Sequence, residues 1–332
     1  MAPMADVTDA AFRRIFAKYG KPDVTWTEFV SADGLFLGGY DKLIKDLEFS
    51  EAERPIVAQF FTANPELMEK AAALAVKLGF DGVDINMGCP DKGVERQGAG
   101  AGLIKNPTLA KEIIRAAKRG AGALPVSVKT RIGYNKNELA TWLPALLEEE
   151  PAVVTIHART RKEMSKVPAR WEHVREAVEI RNKLQSQTLI FGNGDVKDLD
   201  DAYAKAKETG ADGVMLGRAI FGNPFLFSKK KRPELDEGRG EWRGKRSDLK
   251  SEERSDLGER RLEERLNVML EHTKLFEELL GEHKNFSVMK KHYKAYVNGF
   301  SGAGELRAKL METESAKEVV AIVEDFLKKP IQ

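Results

Sequence analysis

The chain has a single cysteine, Cys89, among its 332 residues. An internal disulfide is therefore excluded, and the thiol serves either as a small buried hydrophobe or through its chemistry. Long apolar runs are also missing, and none approaches the ~18 residues a membrane span requires. The opening MAPMADVTDAAFRR lacks the basic start and apolar centre of a secretion signal. These absences lead us to expect a reducing cytoplasm and no membrane partner. An excess of one charge is missing too. Lys and Arg number 54 against 52 Asp and Glu, which excludes a uniformly basic nucleic-acid coat but not a local basic face. His157 has no second histidine or carboxylate cluster at ligand spacing, so no metal site is expected.

What the chain does contain is a regular alternation. Short β-branched or apolar runs at 24–30, 55–61, 83–85, 125–130, 152–157, 188–191 and 212–216 predict strands. Amphipathic stretches at 65–78, 107–119, 138–147, 171–184 and 199–208 predict helices between them. Before the first strand, Thr8 reads as the N-cap of a helix ending near Tyr19, with Gly20 as its stop. Repeated βα units mean a parallel sheet, and seven clear strands with an eighth expected before Ala2-Pro3-Met4 mean a TIM (β/α)8 barrel. The strand ends read Met4, Glu28, Gln59, Asn86, Lys129, His157, Asn193 and Gly217-Arg218. A polar residue closes nearly every run, as a ring-shaped site at the barrel's C-terminal mouth demands.

The barrel is assigned to residues 1–228. Residues 229–261 are almost all charged, Gly, Ser or Pro and read as a flexible linker or insertion. Helical spacing returns at 262–280, 287–300 and 315–327, so 262–332 is expected to form a C-terminal helical domain.

Several features suggest chemistry. The stretch DGVDINMGCP runs from a strand into a loop and carries Cys89 just past the strand end. FGNGD after strand seven and LGR after strand eight place glycines where barrels of this kind hold a phosphate, with Arg218 available for a bidentate contact. Lys129 is either a Schiff-base nucleophile or a fixed cation beside an electron-rich ring. His157 is an acid–base group, a hydrogen-bond donor or a structural histidine. Asn86 offers an amide to a heterocycle's edge. Phosphate, cations, amides and a thiol together describe a flavin mononucleotide site, and the absence of GxGxxG after the first strand argues against a Rossmann flavoprotein.

The motifs resemble those of the tRNA-dihydrouridine synthases. The strings are APMADVTD (2–9), VAQFF with Gln59, DINMGCP (84–90), VKTRIG (128–133), TIHARTR (155–161), FGNGDV (191–196) and GVMLGRAIFGNP (213–224), with MKKHYKAYVNGFSGAGELR (289–307) in the helical tail. The resemblance implies FMN reduced by NADPH, hydride delivery to C6 of a uridine in tRNA, and proton delivery to C5 from Cys89. It implies Pro3, Met4 and Ala5 packed on the flavin, and Gln59, Lys129 and His157 at its ring or ribityl chain. Asn193, Gly194, Asp195, Gly217 and Arg218 are then expected at the phosphate, and Asn86 and Arg159 on the uracil side. Lys290, Lys291, His292, Lys294, Arg307 and Lys309 are expected to contact RNA phosphates, with no obligate protein partner. Only Met1 and Ala2 stand where the family has its first strand. The barrel is thus expected to close on a very short strand, or the start is misassigned. The insertion 229–261 departs from the family pattern as well. The competing readings are an FMN barrel acting on a small molecule, which needs no basic helical tail, and a non-enzymatic RNA-binding descendant.

Overall fold

The computed structural model describes residues 1–228 and 251–328, without the side chains of 251–261. Each β-branched run becomes a strand because its neighbours bury both of its faces. The strands are β1 (Thr25–Ser31), β2 (Ile56–Phe61), β3 (Gly82–Met87), β4 (Val126–Arg131), β5 (Val153–His157), β6 (Leu189–Asn193) and β7 (Gly213–Met215). All pair in parallel and in sequence order. Contacts divide the chain into two units, Met1–Arg14 with Pro22–Ile220 and Ile15–Lys21 with Phe221–Gln332. The first is the TIM-type barrel.

The eighth place is filled without a strand. The Met1 ammonium donates to Val24 O at 3.0 Å, and Ala2 N donates to Leu216 O at 2.8 Å. These two residues stand between the ends of β7 and β1 and satisfy backbone groups that an open sheet would leave bare. Ala2, Trp26 and Met215 pack the seam, joined by Val24, Val57 and Phe191.

Helices Pro65–Leu78 and Pro107–Ala121 show how tightly the outer layer fits. Each starts on an asparagine cap followed by proline: Asn64 accepts from Glu66 N at 2.9 Å, and Asn106 from Leu109 N at 3.2 Å. They cross at Gly120, where a Cβ would lie 2.0 Å from Glu69 O. Ala71, Ala72, Ala75, Ala110, Ala116, Ala117 and Ala121, with Ile113 and Ile114, are buried in the core against the strands.

One local expectation is corrected in this unit. The cap of helix Ala10–Tyr19 is Asp9, whose Oδ1 accepts from Phe12 N at 2.9 Å. Thr8 instead bonds back to Met4, accepting from its N–H at 2.9 Å and donating to its carbonyl at 3.2 Å. One residue's shift turns a cap into a brace on the APM string.

In the second unit, helices Ser251–Leu280, Val288–Tyr296, Ala303–Met311 and Ala316–Leu327 bury Met269, Phe276, Met289, Tyr293, Leu306, Leu310, Val319 and Val323. The charged stretch 251–261, expected in the linker, is the first part of a helix because Glu, Arg and Leu are all strong helix formers. The rest of that expected linker, 229–250, lies outside the described residues. His292 is also corrected. It is fully buried, since Met289, His292, Tyr293 and Tyr296 share one helical face, and it stacks on Phe221 at 5.8 Å. Burial drives it well below the ordinary histidine pKa, so it is neutral and makes no phosphate contact. Lys294 and Lys309 are exposed, whereas Arg307 is half-buried and donates to Val297 O at 2.8 Å. Among the described residues no helix is long and apolar enough to cross a membrane.

A buried ion pair ties the first unit's N-terminal segment to the turn before β2. Arg13 and Glu53 have fully buried side chains, with Nε to Oε2 at 2.7 Å. Arg13 also donates to Thr8 O at 2.7 Å and to Glu48 O, while Glu53 Oε1 accepts from Ser50 N at 2.7 Å. Removing one partner strands the other charge in a dry site, so Glu53→Ala should cost about 3–5 kcal/mol in denaturant unfolding. The double change Arg13→Met with Glu53→Met should cost clearly less than the single one.

Candidate active site

The Cys89 loop leaves β3 with its backbone fully engaged. Thr130 Oγ1 donates to Met87 O at 3.0 Å and is itself held by Trp142 Nε1 at 3.1 Å. Arg131 Nε donates to Gly88 O at 2.7 Å. Asn86 Oδ1 accepts from Gly88 N at 3.1 Å and from Cys89 N at 2.9 Å, and Ala101 N closes on Cys89 O at 3.0 Å. Every polar backbone group from Met87 O to Cys89 O thus has a partner, which is unusual for a loop. Gly100 makes the last contact possible: its φ is +58°, and a Cβ there would meet Cys89 O at 2.9 Å.

Cys89 is half-buried and packs beside Phe61, Val94 and Ala99. Packing at this position leaves the thiol partly exposed. Burial pushes the thiol up from its ordinary pKa, against the opposing pull of the Asp91 amide and of the charges on Arg131 and Lys129. At neutral pH it carries its proton.

A cavity of about 240 Å³ opens at the strand ends, lined among others by Pro3, Met4, Lys129, His157, Arg159 and Arg218. Register explains this gathering, because Arg131, His157 and Asn193 sit opposite one another across β4, β5 and β6. Lys129 Nζ donates to Asn193 Oδ1 at 3.3 Å, and Asn193 Nδ2 donates to Met215 O at 2.7 Å. Burial, then Arg131, pushes the Lys129 ammonium down to about 8, with Asp84 and Cys89 opposing. Burial and the cations Arg131, Lys129, Arg159 and Arg218 drive His157 well below its usual value. Arg159 Nη1 lies 3.2 Å from His157 Nε2. A guanidinium only donates, so Nε2 accepts and the ring proton sits on Nδ1.

Asp195 is the carboxylate among these cations. It bonds Arg159 and Arg218 with its two oxygens and accepts from Ala169 N at 2.9 Å. Its burial works to raise it, but the amide and the two guanidinium groups prevail and hold it below the usual carboxylate range. The glycines of FGNGD divide their roles. Gly192 makes room for the Trp171 ring, which a Cβ would meet at 2.3 Å, and Trp171 Nε1 then donates to Gly194 O at 2.8 Å. Gly194 has φ +126°. Gly217 lines the cavity, and a Cβ there would make only van der Waals contact with Ala2 at 3.8 Å and Met4 at 4.0 Å. That cradle, lined by Arg159 and Arg218, suits an anionic group.

The structure brings Pro3, Met4, Lys129, His157, Arg159, Asn193, Gly194, Asp195, Gly217 and Arg218 together around the cavity. Ala5 is exposed and does not line it. Gln59 and Asn86 lie beneath the Cys89 loop with their amides bonded within the protein. Arg159, expected on the uracil side, is drawn to Asp195. Sequence reasoning missed Arg131 as the clamp on Gly88, Trp171 as the prop under Gly194, and Ser165. The KTR spacing in β4 was the one available clue to Arg131.

Comparison with known proteins agrees with this geometry. The dihydrouridine synthase family model matches residues 1–331. A probable tRNA-dihydrouridine synthase 2 from Bacillus subtilis (strain 168) is 39% identical over 332 residues, covering 99% of this chain and 94% of that one. A probable tRNA-dihydrouridine synthase from Staphylococcus aureus (strain MRSA252) is 39% identical over 329 residues, covering 98% and 92%. With a match along nearly its whole length, the chain belongs to the dihydrouridine synthase family, whose members are flavin-dependent oxidoreductases.

Proposed function

We propose that this protein is a cytoplasmic tRNA-dihydrouridine synthase, reducing the C5–C6 double bond of particular uridines in tRNA with FMN as its flavin and NADPH as reductant. One observation carries the reading: a lone thiol, kept protonated by burial, sits on a fully bonded loop within electrostatic reach of Lys129, which lines a cation-rich cavity. Pro3 and Met4 form an apolar wall for the flavin, Lys129, His157 and Asn193 its polar side, and Gly194, Gly217 and Arg218 the phosphate cradle. Asp195 keeps Arg159 and Arg218 turned toward that cradle. A bound flavin would supply the hydride for C6 of uracil. Cys89 gives the proton of its Sγ–H to C5, so the double bond gains one hydride and one proton, and the thiolate left behind takes a proton from water. The uridine must leave its stack to reach the mouth. Lys290, Lys291, Lys294 and Lys309 supply a basic face for the tRNA backbone.

Cys89→Ala should lower dihydrouridine formation by about 10²–10⁴-fold, the usual worth of a general acid, while the purified protein stays yellow. Nucleoside mass spectrometry of tRNA from a deletion strain restored with each form checks this. Unchanged dihydrouridine at every position in the unrestored strain, with no second enzyme present, would overturn the reading.

The thiol itself can be followed, since the protein has no other cysteine. Iodoacetamide should alkylate Cys89 with an apparent pKa above the ~8.5 of a free cysteine. A value below 7 would mean a resting thiolate and exclude the acid role.

Lys129 gives a separate pH signature. Its ammonium is charged below about 8 and loses that charge above it. FMN affinity, read by flavin fluorescence, should therefore weaken as pH rises through 8, and Lys129→Met should abolish that dependence.

A further inference from the structure

Beneath the Cys89 loop runs a chain of hydrogen bonds. Ser127 Oγ donates to Asp84 Oδ1, and Gln59 Nε2 donates to Asp84 Oδ2. Asn86 Nδ2 donates to Gln59 Oε1 at 3.1 Å, and Asn86 Oδ1 receives Gly88 N and Cys89 N. All four residues are buried: Gln59 0%, Asp84 1%, Asn86 6% and Ser127 7% exposed. Strand register assembles them, placing Gln59 opposite Asp84 on β2 and β3, and Asp84 opposite Ser127 on β3 and β4.

The direction of this chain is not arbitrary. A side-chain amide presents a donor on one side and an acceptor on the other, and Gln59 and Asn86 are each free, as isolated groups, to turn either way. An ionised carboxylate only accepts. Burial pushes Asp84 up to about 6, with Ser127, Gln59 and Lys129 opposing, so it remains mostly ionised at neutral pH. The carboxylate therefore demands the NH₂ of Gln59. Gln59 then offers its carbonyl to Asn86, which must answer with NH₂, and the Asn86 carbonyl is left facing the loop amides. Reversing Asn86 would set its NH₂ against the N–H groups of Gly88 and Cys89, and reversing Gln59 would set NH₂ against NH₂ at Asn86 and carbonyl against carboxylate at Asp84, leaving buried groups unpaired.

We propose that Asp84 is a positioning residue for Cys89, acting through Gln59 and Asn86 to fix the acceptor on which the thiol-bearing loop closes. The link to catalysis rests on the reading of Cys89 as the acid, whereas the link to the loop does not.

The experiment follows Cys89 alkylation by iodoacetamide across pH, alongside kcat and KM for tRNA, in the flavin-loaded protein. Asp84→Val removes both acceptor oxygens. It should speed alkylation several-fold, bring the thiol's apparent pKa down toward that of free cysteine, and lower kcat about tenfold with KM little changed. Asp84→Asn keeps one oxygen for Gln59 and should behave nearly as wild type. Asn86→Ala should match Asp84→Val in its alkylation profile, and the double variant should alkylate no faster than Asn86→Ala alone, because Asp84 reaches the loop through that amide. Should Asp84→Val fail to fold, Gln59→Met cuts the chain at its middle and should give the same alkylation change. Wild-type alkylation and kcat in Asp84→Val or Gln59→Met would overturn the proposal, as would full additivity in the double variant. If Cys89→Ala keeps its activity, the acid role fails, but the alkylation result stands or falls separately.

Discussion

The constraint on which this molecule depends is the crowding of positive charge at one end of a closed parallel sheet. Parallel pairing sends the C-terminal end of every strand to the same rim, so Lys129, Arg131, His157, Arg159 and Arg218 meet in a partly dry space. Like charges at low dielectric are costly, and the protein responds where it can. His157 gives up its charge, Lys129 holds its proton loosely, and Arg131 is pushed down to about 10 yet stays charged. Asp195 then supplies the counter-charge between the remaining arginines. A mouth under this tension favours an anion, and that preference follows from topology before any particular cofactor is considered.

The same rim is stiffened by side chains that do no chemistry. Thr130 and Arg131 hold the Cys89 loop from β4, Asn86 holds it from below, and Trp171 props Gly194. Rigid support of this kind fixes the position of the thiol.

Most of the barrel was readable from the sequence because its signals are local. Seven apolar runs and their intervening helices fall within a residue or two of the elements observed. The misreadings came where a local signal had two uses. Thr8 and Asp9 are adjacent capping residues, and only geometry decides which faces the helix. His292 sits in a lysine-rich string, but a buried helical face outweighs the charge of its neighbours. The stretch 251–261 looked like linker because charged residues make linkers and exposed helices alike. The carboxylate and amides beneath Cys89 were out of reach for a different reason: they are joined by register between strands 25 to 43 residues apart. The residues around the cavity were largely readable because strand ends are easy to locate, but their division of labour was not.

The packing of Trp171 on Gly192 has a hereditary consequence. A methyl group at position 192 would fall inside the indole ring, and a smaller residue at 171 would leave Gly194 O without its donor. Neither site can drift alone, so the two are bound to change together or stay fixed. A glycine that looks like part of a phosphate loop is thus held in place by an aromatic ring 21 positions earlier in the chain.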